Sequence, residues 1–331
     1  MMSKSYGYDD FEHPRNLKIH YVQIEGLALM RIIKHCHEEG DGTIEVAQGA
    51  LLGMVVDNAL EITNCFAFPK NYDDDEEYQL DMMRNLKLVN VDHYHVGWYQ
   101  SSEIGSFLSL SLLESQFHYQ TSIEESVVLI YDNAKTDRGF LSLKAYRMTP
   151  QAIELYKQGE FTTEAIKTHK VGYENLLVEI PLRIRNSTLT NILLSDLGVL
   201  IPPQEGHKFL DLGTANVVEN QLRSLMDCVD DLNQETMKFN RHQQAVARQM
   251  QEKNKYLQKV TAENAVRAAK GEPPLPEEDL NKLFKPLPTP PRLLPMTLAG
   301  KVEAYSKNLT EFSMQSLAKL YLMEALHTKK T

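Results

Sequence analysis

From Asn216 to Lys270 the chain runs without a proline or a glycine and is rich in Gln, Glu, Lys, Arg and Ala. These side chains favour helix, and the two residue types that break helices are missing. The segment is predicted to be one long helix or a broken pair. It stops at Gly271-Glu272-Pro273-Pro274-Leu275-Pro276, the start of a proline-rich loop predicted over about 271–296. Helical spacing resumes from Thr297 to His327. Leu222, Leu225, Met226, Val229 and Leu232 share one face of the first stretch. Leu309, Phe312, Met314, Leu317, Leu320 and Tyr321 do so, with some drift, in the second. Two arrangements are open: a private hairpin packed on itself or on the rest of the chain, and a bundle built with other subunits.

The front of the chain has a different grain. Val22 to Cys36 carries apolar residues at helical spacing and reads as a helix ended by Gly40-Asp41-Gly42. Leu51–Val56 and Glu61–Phe66 read as strands joined by a turn at Asp57-Asn58-Ala59. The acidic run Asp73 to Glu77 starts a helix, Tyr78 to Lys87, where acids suit the helix dipole. Leu86, Leu88 and Val91 read as an alternating, buried strand leading into a site-bearing turn. Glu103 to Gln120 reads as an amphipathic helix, and Ser126–Tyr131 and Phe140–Met148 as strands around a turn at Asp132-Asn133. Beyond Pro150 the pattern is short and mixed, with one strand at Asn175–Arg185. The expected fold class is α/β (α+β): a mixed β-sheet sandwiched by helices, followed by a C-terminal helical extension. The expected domains are a disordered tail over 1–18, a globular unit over 19–213 and a helical assembly region over 214–331.

The net charge is −10. Met1–Gly213 holds 31 acidic and 18 basic residues, the remainder 14 and 17. An acidic front half repels phosphate, and the tail has no dense basic run, so protein partners are favoured over direct nucleic-acid binding. No apolar run is long enough to span a bilayer, and the polar, acidic N-terminus does not read as a secretory signal. Cys36, Cys65 and Cys228 are far apart and odd in number, which favours buried free thiols in a reducing, cytoplasmic setting.

The segment His93-Tyr94-His95-Val96-Gly97-Trp98-Tyr99-Gln100-Ser101-Ser102-Glu103 sets large aromatics beside a glycine, where the backbone can come close to another chain segment. It resembles the MPN domain (also called JAMM or Mov34). Catalytic members of that family are isopeptidases. Their motif continues after Gly-Trp-Tyr with His-Ser-His-Pro, then a Ser and an Asp along a helix. Two His and the Asp hold zinc, a water takes the open position, and an upstream Glu is the base.

Carried onto this chain, the resemblance puts Gln100 and Ser102 at the histidine positions and Glu103 at the proline. Leu110 falls at the serine position and Leu113 at the aspartate. Shifting by one residue restores Ser109 but leaves Leu112 as a ligand. The base position, ahead of Ala47-Gln48-Gly49-Ala50-Leu51-Leu52-Gly53, is Val46; Glu45 beside it would face the other way on a strand. Amide, hydroxyl and leucine side chains make no stable zinc shell. The resemblance therefore implies a non-catalytic pseudoenzyme with no metal and no cofactor, in which Leu110 and Leu113 fill the former cleft.

Other candidates have plainer readings. His93 and His95 share a strand face but lie upstream of the ligand positions, and local hydrogen bonding is favoured. His35 and His37 splay apart on a helix and cannot share a metal. Glu103 and Glu114 read as exposed glutamates. Asp73 to Glu77 lacks the spacing of a calcium loop.

Gln23–Leu27, Ile32–Cys36, Asn64–Pro69, Asn90–Ser101, Glu174–Leu182 and the long C-terminal helices together resemble the MPN-bearing subunits of eukaryotic translation initiation factor 3. That resemblance implies pairing with a second MPN protein, the f subunit, and a helical bundle shared with PCI subunits such as c, e, k and l. It also implies a ribosome-associated scaffold that supports recruitment of the small ribosomal subunit and mRNA, and reinitiation. The alternatives are an MPN-family metallo-isopeptidase, or an MPN subunit of the proteasome lid or the signalosome.

Overall fold

A computed structural model describes residues 19–40, 46–69, 75–89, 94–102, 107–136, 141–159, 161–200, 215–271, 273 and 283–328. Eight strands form one sheet: β1 (Tyr21–Glu25), β2 (Gln48–Val56), β3 (Ala59–Ala67), β4 (His95–Ser102), β5 (Val127–Asp132), β6 (Leu143–Met148), β7 (Leu177–Ile180) and β8 (Leu182–Arg185). Their order is β7-β6-β5-β4-β2-β3-β1-β8. Only Pro181 separates β7 from β8, yet the two lie at opposite ends of that order. Successive Cα atoms are about 3.8 Å apart, so the sheet must curl until its edges meet. Pro181 has no N–H to continue a ladder, and its carbonyl accepts from Val22 N–H at 2.9 Å. The strand expected over Asn175–Arg185 is thus a 3₁₀ turn (Tyr173–Asn175) followed by two short strands on different edges.

Helix α1 (Gly26–Gly40) packs on one face of the sheet. The core there gathers Val22, Ile24, Ala28, Ile32, Leu51, Leu60, Leu129 and Tyr131. The expected helix over Val22–Cys36 is corrected at its start. Val22 and Ile24 belong to β1, paired in parallel with both β3 and β8, and the apolar spacing simply continues from strand into helix. Gly26 marks the switch: its N–H donates to Asn186 Oδ1 at 2.9 Å, and a Cβ there would strike that side chain. On the other face lie α3 (Leu110–Ser122) and α5 (Pro150–Gln158), which close a second core of Trp98, Leu112, Leu113, Val128, Ile130, Met148, Ala152 and Leu155. Strand β5 feeds both cores by alternation, Val127, Leu129 and Tyr131 to one and Val128 and Ile130 to the other.

The β2–β3 hairpin stands where the sequence puts it. Helix α2 (Asp75–Leu88) starts inside the acidic run, of which Asp73 and Asp74 lie outside the described residues. The strand expected from Leu86 and Leu88 is the last turn of α2, and Leu88 is exposed; a few apolar residues at short intervals fit either period. Val91, His93, Glu45 and Glu103 lie outside the described residues. The expected helix from Glu103 begins at Leu110, where Ser109 caps it by accepting from Leu112 N–H at 3.1 Å. The turn at Asp132-Asn133 is a single helical turn, α4 (Asn133–Thr136), capped by Asp132 Oδ1, which accepts from Lys135 N–H at 3.0 Å. Helices α6 (Thr163–His169) and α7 (Thr188–Leu200) complete the stretch that reads as mixed.

The proline-free run is one unbroken 56-residue helix, α8 (Ala215–Lys270). Helix α9 (Leu293–Thr328) begins earlier than expected, so the loop stops short of residue 293. Pro295 falls in the first turn, where a missing N–H costs nothing. α9 turns back along α8 and also touches α3 and the 3₁₀ turn. The guanidinium of Arg292 lies 3.3 Å from the ring centroid of Phe239 on α8.

Candidate functional site

Strand β4 has a bulge. Its antiparallel register with β2 pairs Leu51 with Gly97 but Leu52 with His95, which leaves Val96 extra. The bulge reverses the alternation, so that Val96 and Tyr99 enter one core while Trp98 enters the other. Gly97 is required there. It lies opposite Val127 of β5, and a Cβ would stand 2.2 Å from the Val127 carbonyl oxygen. The glycine beside the aromatics thus marks a close backbone approach, on a strand and not in the expected turn.

Beyond the bulge, β4 carries Trp98, Gln100 and Ser102 on one face. Gln48 pairs with Gln100, and the side-chain amide of Gln48 donates to Gln100 Oε1 at 3.4 Å. Ser101 and Ala47 exchange hydrogen bonds, Ala47 N–H to Ser101 Oγ and Ser101 N–H to Ala47 O, both at 2.8 Å. The same ladder sets Val46, at the mouth of β2 and largely exposed, across from Ser102. Ser102 is 4% exposed, and its hydroxyl makes no hydrogen bond among the described residues. Val46, Gln100 and Ser102 are therefore brought to one end of the β2–β4 pair.

The two leucines part company. Leu113 is fully buried in the second core, but Leu110 is only half-buried and joins neither core. The expectation that both fill the cleft is corrected for Leu110, because α3 begins at that residue and its first turn faces partly outward. Among the described residues no three His, Cys, Asp or Glu side chains converge as a metal requires.

The histidines settle locally. His95 packs edge-on to Tyr119 with centroids 5.2 Å apart. Burial pulls its pKa below the ordinary value, opposed by a hydrogen bond to the Gly97 backbone. His35 Nδ1 meets Tyr99 Oη at 2.9 Å, which anchors α1 to β4, while His37 lies in the last turn of α1. Glu114 is exposed. Cys36 and Cys65 are buried, with thiol pKa values pushed up to about 12 by that burial; Cys228 is half-buried.

Two features escaped the sequence reading. The first is a buried amide relay behind Trp98, whose indole N–H donates to Gln116 Oε1 at 2.8 Å. Gln116 in turn donates to Gln120 Oε1 at 3.2 Å and to Ser126 O at 3.3 Å. Gln120 donates to Met148 O at 3.1 Å and accepts from Met148 N–H at 3.0 Å. The signal was legible: Gln116 and Gln120 occupy the helix face of Leu113, where apolar residues belong. The second is a cavity of about 280 Å³ that Ser102 lines from the sheet and α9 from the opposite side.

A curled mixed sheet with one helix on one face and two on the other, a Gly-Trp-Tyr strand and a helical extension define an MPN-domain protein. Two family models match, JAB1/Mov34/MPN/PAD-1 ubiquitin protease over residues 18–125 and C-terminal region of eIF3h over residues 136–331. The chain is 66% identical to the H subunit of eukaryotic translation initiation factor 3 from Bombyx mori, covering 94% of this chain and 93% of that protein. It is 61% identical to the proteins of the same name from Culex quinquefasciatus and Aedes aegypti, with 94% of each chain covered. The chain belongs to this family, the H subunits of eukaryotic translation initiation factor 3.

Proposed function

We propose that the chain works as a non-catalytic scaffold and regulatory subunit of the initiation factor 3 complex in the cytoplasm. It supports recruitment of the small ribosomal subunit and mRNA, and reinitiation, by holding other subunits in place. The MPN unit pairs with the f subunit, and the C-terminal helices join a bundle with PCI subunits such as c, e, k and l.

The supporting observation is apolar surface that the fold leaves uncovered. On α7, Leu189 is 80% exposed and Val199 84%, and Ile192, Leu193, Leu194 and Leu197 are exposed with them. On α8 the uncovered residues include Leu222, Met226, Val229, Val246, Met250 and Leu257. On distal α9 they include Met314, Leu317, Leu320 and Tyr321. Such surface marks interaction sites. α8 and α9 pack on each other, and their remaining apolar faces are the surface offered to partners in this reading. Among the described residues no helix is long and apolar enough to cross a membrane.

The absence of catalysis in this reading rests on the altered motif positions. Val46, Gln100, Ser102 and Leu113 offer no ligand set for zinc, and Leu113 is enclosed in core. Affinity capture of the tagged chain from lysate tests the assembly: initiation factor subunits should co-purify, and proteasome-lid or signalosome subunits in their place would overturn it. Metal analysis of the purified protein tests the chemistry. Well under one zinc per chain is expected; a full equivalent that disappears when His93 and His95 are replaced would establish a metallo-isopeptidase centre instead.

A further inference from the structure

The cavity beside Ser102 is partly open to solvent and is walled on one side by α9. Ser102, Asp132 and Lys144 form its floor at the ends of β4, β5 and β6, and Gly300, Lys307 and Glu311 of α9 lie across it. We propose that the proximal part of α9 is a strap over this cleft, and that Ser102 becomes accessible only when the strap lifts.

Three separate contacts hold the strap down. At Gly300 the helix backbone comes so near the segment that leads into α3 that a Cβ would stand 2.4 Å from Leu108 Cδ2. Thr297, Leu298 and Phe312 are buried along the same stretch. Glu311 forms an ion pair with Lys135 of α4 at 2.9 Å, which ties the far end of the contact to the core. The other lysines at the rim are matched too: Lys144 pairs with Glu179, and Lys307 with Glu303. Among the described residues, the rim lysines Lys135, Lys144 and Lys307 are thus all engaged within the chain. Beyond Phe312 the buried contacts cease, and Met314, Leu317 and Tyr321 are exposed. Residues 293–312 are therefore the docking half of α9. This division concerns cleft access alone and does not rest on the assembly proposed above.

A thiol at the floor reports closure. In the full chain carrying Cys228→Ser, the buried Cys36 and Cys65 stay silent, so Ser102→Cys supplies the reactive group. Its labelling by a soluble disulfide reagent should be at least about a hundredfold slower than in denaturant, because reaction waits for local opening. Gly300→Trp, which cannot sit against Leu108, should speed native labelling by about tenfold or more. Glu311→Lys should speed it about two- to fivefold, and adding Lys135→Glu should restore the slow rate by remaking the pair in reverse. Labelling of the parent chain at the denatured rate would overturn the proposal. So would unchanged rates in the folded variants, with Glu311→Lys alone deciding if Gly300→Trp fails to fold.

Discussion

Replacing Gln116 by Met keeps the volume of a fully buried side chain while deleting its hydrogen bonds. Trp98 Nε1–H then has no acceptor, and Ser126 O loses a donor, both in the buried interior. Each unsatisfied buried group costs about 1–3 kcal/mol, so Gln116→Met is expected to destabilise by about 2–4 kcal/mol. Trp98→Phe removes the donor, opens a small cavity and strands Gln116 Oε1, at about 2–3 kcal/mol. In the double variant neither partner remains to be left unsatisfied. The combined loss should therefore fall short of the sum by about 1–2 kcal/mol. For a unit of this size that gap is worth about 2–8 °C in Tm. Far-UV circular dichroism on thermal and urea unfolding of the parent, both single variants and the double variant measures it. Losses that add to within about 0.5 kcal/mol would refute the claim that the relay acts as a unit.

Three further outcomes are expected. Gly97→Ala forces a methyl against the Val127 backbone, which cannot swing aside, and should cost about 3 kcal/mol or abolish soluble expression; a neutral result would mean that the β4–β5 pairing is wrong. His95 has its pKa lowered by burial, so as pH falls the unfolded chain takes up the proton first. Its stabilisation is intact above the ordinary value of 6.5 and is lost as pH falls through 6.5 towards the lower folded value. His95→Phe, which keeps the ring beside Tyr119, should lose less stability than the parent between about pH 7.5 and about pH 5.5, and parallel urea curves would sink the assignment. Finally, an alkylating reagent at mildly alkaline pH should modify Cys228 alone in the native protein and all three cysteines after denaturation.

The parts of the fold legible beforehand are those set by near neighbours. The proline-free run had to be a helix, the β2–β3 hairpin followed from two apolar runs around a turn, and Gly97 announced a tight approach. At the site, the sequence places Val46, Gln100, Ser102, Leu110 and Leu113 by resemblance alone. The structure gathers the first three, buries Leu113 and leaves Leu110 at the surface of its helix. Short segments failed where two periods fit equally well, as at Val22–Glu25 and Leu86–Leu88. Helix α7 was missed although Leu189, Ile192, Leu193 and Leu197 have helical spacing; among the described residues its apolar side chains join neither core.

Tertiary structure alone decided the rest. That Ile180 and Leu182 sit on opposite edges of one sheet depends on pairing with β6 and with β1, partners that no local pattern names. That α9 crosses the end of β4 depends on Gly300 meeting Leu108 and Glu311 meeting Lys135, residues far apart along the chain. Periodicity and propensity are short-range and can be read in order along the sequence. Edge pairing, sheet closure and a helix folded back over a cleft are set by which surfaces bury one another, and that is known only when the whole chain has closed on itself.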